Sequence, residues 1–191
     1  AAHAVAFPAR FMLVAATNPC PCGRLGFDRP PIIEGRLPVG TMREDGGGDC
    51  RCSATDIARY RARLSGPLAD RIDLRVTVAP VALSAMHGGG DETSAQVRSR
   101  IVVARERQRE RYAGQRDVNA NAQAPARALR GAHGPTAEAH AWLVSAAERL
   151  RLSARGYARV LRVSRTIADL DGAEQVSRDA VAEALGLRGV G

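Results

Sequence analysis

The sequence predicts an α/β region followed by an all-helical region, and three observations support this division. Residues 11–16 form a uniformly apolar run, which is typical of a strand buried on both faces. Apolar and polar residues alternate from Ile72 to Val78, which predicts a half-buried strand. After residue 94 the apolar spacing becomes helical. Because strands come first and helices later, we expect two subdomains rather than one interwoven sheet.

The first region, which we place at residues 1–87, contains a long loop and one short helix between the two strands. Residues 23–49 are rich in glycine and proline and lack periodicity, which predicts a loop. Ser53, with Asp56 three residues later, is typical of a helix start, and the helix is expected to end near Leu64. The second strand is expected to end at Pro80, and the stretch HGGGDETS that follows predicts a flexible linker.

The second region, which we place at residues 91–191, is predicted to be a bundle of four helices. The first lies within SAQVRSRIVVARERQRERY, the second at about 136–150, and the last two are capped by Ser153 and Ser177. We expect Glu106 to face Arg109 on the outer side of the first helix. The residues expected to point inward are Val97, Ile101, Ala104, Trp142, Leu143, Ala146, Leu150, Tyr157, Val160, Leu161, Ser164, Ile167, Val181 and Leu185.

The composition is basic, and all of the basic charge comes from arginine. The chain has 191 residues, a formal net charge of +8, and no lysine. A basic balance is compatible with a nucleic-acid partner, although an arginine-biased coding sequence with solvated helix faces explains it equally well. The absence of lysine excludes the phosphate-binding motif G-x-x-x-x-G-K-[ST] from this chain, because that motif uses its lysine at the β- and γ-phosphates.

The sequence also bears on location and completeness. No apolar run approaches the roughly 20 residues that a membrane span needs, and none resembles a secretory signal. We therefore expect a cytoplasmic protein without a membrane partner. Because the chain starts at Ala1 close to a predicted strand, we expect it to be part of a longer polypeptide.

Four cysteines form two closely spaced pairs. Cys20 and Cys22 make one C-x-C, and Cys50 and Cys52 make another, with 27 residues between the pairs. Four thiolates suit a tetrahedral zinc ion, and a loop with few large apolar residues would gain stability from a metal. The usual zinc spacing, C-x₂₋₄-C, is wider. Reduced thiols that only pack and redox-active thiols remain alternatives, while the missing secretory signal disfavours disulfides.

Three polar residues are candidates for nucleotide chemistry, and each has a simpler explanation. Asn18 ends a predicted buried strand, where an amide could position an attacking water, but it could equally begin an Asn-Pro turn. Arg71 could pair with Asp70 or Asp73. Arg155 could be a solvated helix arginine. From residue type and position alone, the simpler explanations are at least as good.

Three long stretches resemble a known family. FPARFMLVAATNPCPCG, CRCSATDIARYRARLSGPLADRIDL and LSARGYARVLRVSRTIADL are similar, in this order, to the signature blocks of the ComM/YifB family of Mg-chelatase-like AAA+ ATPases. The resemblance implies the C-terminal portion of such a protein, with part of an α/β nucleotide-binding core followed by a helical lid. It also implies ATP and Mg²⁺ as ligands of the complete protein, a hexameric assembly, and a DNA helicase that drives branch migration.

The resemblance assigns roles by position. Asn18 matches the sensor-1 residue, Arg71 the arginine finger that acts on a neighbouring subunit's nucleotide, and Arg155 the sensor-2 arginine. The four cysteines match the family's C-P-C and C-R-C pairs, for which the resemblance implies zinc. An amide and two arginines around a γ-phosphate would supply the water positioning and positive charge that phosphoryl transfer needs.

Two departures from the family pattern affect this interpretation. The connector between the cysteine pairs is longer than in the family, although lengthening a loop costs little entropy. The Walker A and Walker B segments are absent, so this chain alone is expected to be inactive. The main alternative is a zinc-stabilised DNA-binding or interaction module without catalysis. A true Mg-chelatase subunit is another, which the cysteine pairs disfavour.

Overall fold

The computed structural model describes residues 11–26, 50–63, 71–78 and 92–188. The chain forms two compact units, Ala1–Leu64 and Ser65–Gly191. The predicted domain bounds, 1–87 and 91–191, stay a prediction. Most of the predicted loop at 23–49, the expected strand end at Pro80 and the glycines of the predicted linker lie outside the described residues.

Neither predicted strand forms in the described residues. The backbone at 11–18 and at 72–78 is irregular, and the apolar side chains along it are exposed, with Met12 88% and Val78 76% accessible. A strand is stabilised by the ladder that it shares with a neighbour, and a buried strand also needs cover on both faces. Neither segment has a ladder partner within the ranges listed above. The fold-class prediction is therefore confirmed for the helical region, while the described residues do not show the α/β region.

The first unit contains one helix, α1 (Ala54–Ala62), within its described residues. Its start is the predicted one, because the Ser53 hydroxyl accepts from the Asp56 N–H at 3.1 Å and donates to the Asp56 carboxylate at 2.6 Å. The helix buries none of its residues. Its predicted end near Leu64 lies outside the described residues.

The second unit contains the four predicted helices: α2 (Ser94–Arg111), α3 (Ala137–Arg149), α4 (Ala154–Leu170) and α5 (Arg178–Gly186). Each is capped by a hydroxyl side chain that accepts from the backbone N–H three residues later, as expected from the sequence for Ser153 and Ser177. Three short 3₁₀ turns, Asn121–Gln123, Ala126–Leu129 and Gly131–His133, connect α2 to α3.

Helix α4 packs against both α2 and α5, and α3 packs against α5. The predicted stripe on α4 and the inward residues of α5 are confirmed, with Tyr157 only partly buried. Two expectations are wrong, because Ile101 is 47% and Leu150 38% exposed. Since the buried residues of α2 are Ala104 and Gln108, its C-terminal half makes the contact with the bundle. No helix among the described residues has the length and apolarity needed to cross a bilayer.

Candidate functional site

The structure brings the four predicted metal-ligating cysteines together. Their sulfur atoms all lie within 4.8 Å of one another. The Cys20 sulfur is 3.4 Å from that of Cys22 and 3.7 Å from that of Cys50, and the Cys22 and Cys50 sulfurs are 3.6 Å apart. Four sulfurs bound tetrahedrally to zinc at about 2.3 Å would be about 3.8 Å apart, so this spacing fits the ion.

A tight turn builds the first half of this cysteine cluster (Cys20, Cys22, Cys50 and Cys52). The Gly23 N–H donates to the Cys20 carbonyl at 3.0 Å, and Gly23 has a φ of +78°, which favours glycine. Cys20 is fully buried and Leu25 is 8% exposed. The second half is the extended segment before α1, where Cys52 directly precedes the N-cap Ser53.

The local environment shifts the pKa values of the four thiols in different directions. Backbone N–H groups of Arg24 and Arg51 donate to Cys22 and lower its pKa to about 6. The N–H of Cys22 also favours a thiolate at Cys52, but desolvation and the neighbouring sulfurs outweigh it and raise the pKa of Cys52 to about 12. The protein alone therefore favours ionisation at Cys22 and disfavours it at Cys52. A divalent cation would supply the positive charge that allows all four to ionise.

Asn18 lies two residues before the cluster and is exposed. A Cβ built on Gly23 would be 3.6 Å from Asn18 Cγ, so the asparagine side chain lies beside the cysteine turn. The preceding residue, Thr17, contacts α1 through a 2.9 Å hydrogen bond between its Oγ1 and the Tyr60 hydroxyl. Asn18 is thus part of a turn with defined contacts, and its role as sensor 1 stays a prediction.

Arg71 and Arg155 both lie in the second unit and are both exposed. Arg155 is in the first turn of α4, just after the Ser153 cap. Arg71 directly precedes the irregular segment at 72–78. Two simpler partners were considered for Arg71: Asp70 lies outside the described residues, and Asp73 forms an ion pair with Arg159 at 3.1 Å.

The segment at 72–78 is bonded at two places to the helical unit, which we define as helices α2–α5 and the connections between them. The Arg159 side chain is 12% exposed and reaches Asp73 from α4. The Arg75 N–H donates to the Leu187 carbonyl at the end of α5 at 2.6 Å. These contacts fix the residues that follow Arg71 on the ends of α4 and α5. The functional roles of Arg71 and Arg155 stay predictions.

A buried ionic network in the helical unit was not predicted. The Asp169 side chain is fully buried, and it accepts from Arg165 Nη2 at 2.9 Å and from Arg111 Nη1 at 2.9 Å. The Asn121 amide donates to the same carboxylate at 2.8 Å. Arg165 also donates to three backbone carbonyls, those of His133, Ala173 and Glu174. The network therefore joins α2 and α4 to the connections before α3 and α5.

The sequence did contain a signal for this network. Arg165 and Asp169 are four residues apart and lie within the apolar stripe of α4, where charged residues are rarely buried unless they are paired. Its partners, Arg111 and Asn121, are distant in sequence and could not be identified in this way. The donors and acceptors named above all contact protein, which makes the network a structural element, although Arg111 Nε and Arg165 Nε are buried without a hydrogen-bond partner.

Comparisons with known proteins agree with the sequence resemblance. A family model described as magnesium chelatase, subunit ChlI C-terminal, matches residues 91–188, and a model described as magnesium chelatase, subunit ChlI, matches residues 1–33 and 36–86. The competence protein ComM of Haemophilus influenzae is 39% identical over 186 residues, covering 96% of this chain and 32% of that protein.

Two further relatives have no described activity. An uncharacterised protein of Mycobacterium tuberculosis is 37% identical over 185 residues, covering 97% of this chain and 33% of that protein. The uncharacterised protein YifB of Escherichia coli is 34% identical over 188 residues, covering 97% of this chain and 32% of that protein. The chain thus spans about a third of the length of the curated relatives that it matches.

Proposed function

Because the chain belongs to the family of magnesium chelatase subunit ChlI, we propose that it supplies part of the ATP-hydrolysing site of a Mg-chelatase-like AAA+ ATPase. The observation that supports this most is the pair of family matches, which follow one another along residues 1–33, 36–86 and 91–188. The nucleotide-binding lysine and the Walker segments would come from sequence outside this chain, as would ATP and Mg²⁺ binding.

In this proposal, three side chains act on the γ-phosphate. Asn18 orients the attacking water, Arg71 stabilises the transition state at a neighbouring subunit's nucleotide, and Arg155 contacts the phosphates from the lid. The position of Arg155 supports its role, because the first turn of α4 has N–H groups and a helix dipole that favour anions. Arg71 and Arg155 are both exposed, so both side chains are accessible to a ligand.

The exposed apolar segments fit the same proposal. Phe11, Met12, Leu13 and Val14 are at least 66% exposed, and Leu74, Val76 and Val78 at least 50%. Apolar runs of this kind are costly in water and are expected to be covered in the complete protein. We propose that they become strands of an α/β nucleotide-binding core when neighbouring strands are present.

The assembly and substrate follow from the family resemblance. We propose a hexamer, because an arginine finger acts on a nucleotide bound by the next subunit. We further propose a motor that moves branched DNA, to which a net charge of +8 would contribute phosphate contacts.

The cysteine cluster is proposed as a structural zinc site. Four sulfurs within 4.8 Å satisfy the ligand number and spacing, and the described residues of the first unit have few buried apolar side chains. In such a site Cys20, Cys22, Cys50 and Cys52 would hold the ion, which would stabilise the turn beside Asn18. A closed set of four thiolates leaves no open position for a substrate, so the metal would not take part in hydrolysis.

The experiment compares this chain with a full-length protein that includes the nucleotide-binding segments. The chain alone should show no ATPase activity above background. In the full-length protein, Arg71→Ala should abolish hydrolysis, including any stimulation by DNA, while ATP binding stays within about threefold, because the finger acts on the transition state. The control is Arg61→Ala, an exposed arginine on α1, which should leave both properties unchanged.

Three outcomes would contradict the proposal. Hydrolysis by the 191-residue chain alone would show that the assignment of a partial site is wrong. A full-length Arg71→Ala variant that loses ATP binding and turnover to the same extent would indicate a structural role for Arg71. Tight and sequence-preferring DNA binding by the isolated chain would instead favour the zinc-stabilised binding module.

A further inference from the structure

Helix α1 needs contacts outside itself to keep its position. It has nine residues and buries none of them. Isolated helices shorter than roughly 12–15 residues are marginal in water, and a helix without a buried face gains little from packing. Among the described residues of this unit, specific contacts with the segment at 11–26 help to hold α1 in position.

Two contacts of this kind are visible, and they join the same two segments. At the start of α1, Cys50 and Cys52 lie in the cluster with Cys20 and Cys22. One and a half turns into the helix, the Tyr60 hydroxyl is 2.9 Å from Thr17 Oγ1. Contacts at the cysteines alone would fix only the start of α1. The hydrogen bond between Tyr60 and Thr17 adds a second fixed point and so restricts the orientation of the helix.

Thr17 links Tyr60 to the backbone of Asn18. The Thr17 hydroxyl donates to the Asn18 carbonyl at 3.2 Å, and a hydroxyl has one proton to donate. Either hydroxyl of the Tyr60–Thr17 pair can donate, and with Tyr60 as the donor the Thr17 hydroxyl donates in turn to the backbone of Asn18. The phenol of Tyr60 thus reaches the residue that precedes the cysteine turn, within three residues of Cys20.

We propose that Tyr60 is a positioning residue for the metal centre formed by the four cysteines, and that its bond to Thr17 preorganises the two cysteine pairs for the ion. The inference rests on the proposed metal site. When a metal ion binds, it must hold together two cysteine pairs that are separated by 27 residues of chain. A hydrogen bond that already joins both segments removes part of that entropic cost.

The energetic coupling between metal binding and the Tyr60–Thr17 hydrogen bond must also act in the opposite direction. If the Tyr60–Thr17 bond raises the affinity for the metal, the metal stabilises the bond by the same factor. Metal binding then orders the chain segment that contains Thr17 and Asn18. The Asn18 side chain, which lies beside Gly23 of the cysteine turn, is held from both sides.

The test measures the affinity of this chain for Zn²⁺ by competition with a chromophoric chelator. Tyr60→Phe and Thr17→Val each remove one hydroxyl and keep the shape of the side chain. Each should weaken Zn²⁺ binding by about threefold to tenfold, the range for one net hydrogen bond. The double variant should be no weaker than Thr17→Val alone, because that substitution already removes the bond between Thr17 and Tyr60.

Two controls distinguish positioning from general destabilisation. Thr17→Ser keeps the hydroxyl and should keep most of the wild-type affinity. Tyr157→Phe removes a hydroxyl from the helical unit and should leave the affinity unchanged. As a second measurement, the NMR signal of the Asn18 side-chain amide should shift on Zn²⁺ addition in the wild type, and by less in Tyr60→Phe at the same metal occupancy.

The contradicting results are distinct. If Tyr60→Phe and Thr17→Val bind Zn²⁺ within twofold of the wild type, the positioning role is wrong and the metal site stands. Single effects that multiply in the double variant also overturn the inference, because they show that the two hydroxyls act separately. If the wild-type chain binds no Zn²⁺, both the metal site and the inference are wrong.

Discussion

The two units of this chain are stabilised in different ways. The helical unit has a continuous core from α3, α4 and α5, with Leu143, Val160 and Val181 almost fully buried. The first unit, which contains the cysteine cluster and which we call the cysteine unit, has Cys20 and Leu25 as its buried apolar residues within the described ranges. Its helix α1 buries no residue. One unit depends on buried apolar area, and the other depends on a few polar and sulfur contacts.

This difference matters for how each unit can support function. A helix held by a packed core keeps its side chains in place without a ligand, which suits Arg155 at the start of α4. A helix held by cross-links can move when one of them is lost. We therefore expect the position of Asn18 to depend on the metal and on Tyr60, and that of Arg155 to be independent of both.

The largest expected effect concerns the buried network of the helical unit. Asp169→Asn removes the negative charge that Arg111 and Arg165 share, and leaves two buried guanidinium groups without their counter-ion. We expect a loss of about 3 kcal/mol in the free energy of unfolding, since removing one partner of a buried pair is costly. Urea unfolding followed by Trp142 fluorescence measures it, because Trp142 is the chain's single tryptophan and contacts the helical core.

The matched control is Glu106→Gln, which makes the same chemical change in an exposed pair. Glu106 is 2.8 Å from Arg109, as predicted from the sequence, and both side chains are more than half exposed. Its loss should cost less than about 0.5 kcal/mol. Equal effects of the two substitutions would show that burial of the network does not contribute to the stability of the bundle.

A smaller effect is expected from pH, and it has a defined sign. Burial alone would raise the pKa of Asp169, but hydrogen bonds from Arg111 and Asn121 and the charge of Arg165 outweigh it and hold the pKa below its usual range. A carboxylate with a lowered folded-state pKa stabilises the fold above its unfolded pKa of about 3.9. That stability is lost as the pH falls through the folded-state value.

The difference in unfolding free energy between wild type and Asp169→Asn should therefore be constant from neutral pH to about pH 5. It should decrease as the pH falls below about 4, where the unfolded carboxylate becomes protonated. Urea titrations of both proteins at a series of pH values provide the comparison. A difference that grows on acidification would mean that Asp169 is protonated at neutral pH.

The same contrast explains how much could be predicted from the sequence. The five helices of the described residues were predicted, three of them with their N-caps Ser53, Ser153 and Ser177, because a hydroxyl cap and an apolar period are local signals. The cysteine cluster was predicted from two C-x-C pairs, since each pair fixes two sulfurs locally. The bond between Tyr60 and Thr17 was not predicted, because the two residues are 43 positions apart.

The errors also have a common physical cause. The strands at 11–16 and 72–78 were inferred from pattern, but a strand forms only beside another strand, and pattern does not show whether that neighbour is present. Ile101 follows the helical period of α2, yet the bundle contacts only the C-terminal half of that helix. In both cases the local signal was read correctly, and the tertiary partner decided the outcome.

The central contrast is between a unit that we propose requires a metal and a unit that does not. Hydrogen exchange of the zinc-loaded chain, measured before and after removal of the metal with a chelator, tests it most directly. On metal removal we expect exchange to accelerate strongly in the cysteine turn at 20–25 and in α1, and to stay unchanged in α3, α4 and α5. Slow exchange in α1 after complete metal removal, or equal acceleration in both units, would contradict this division.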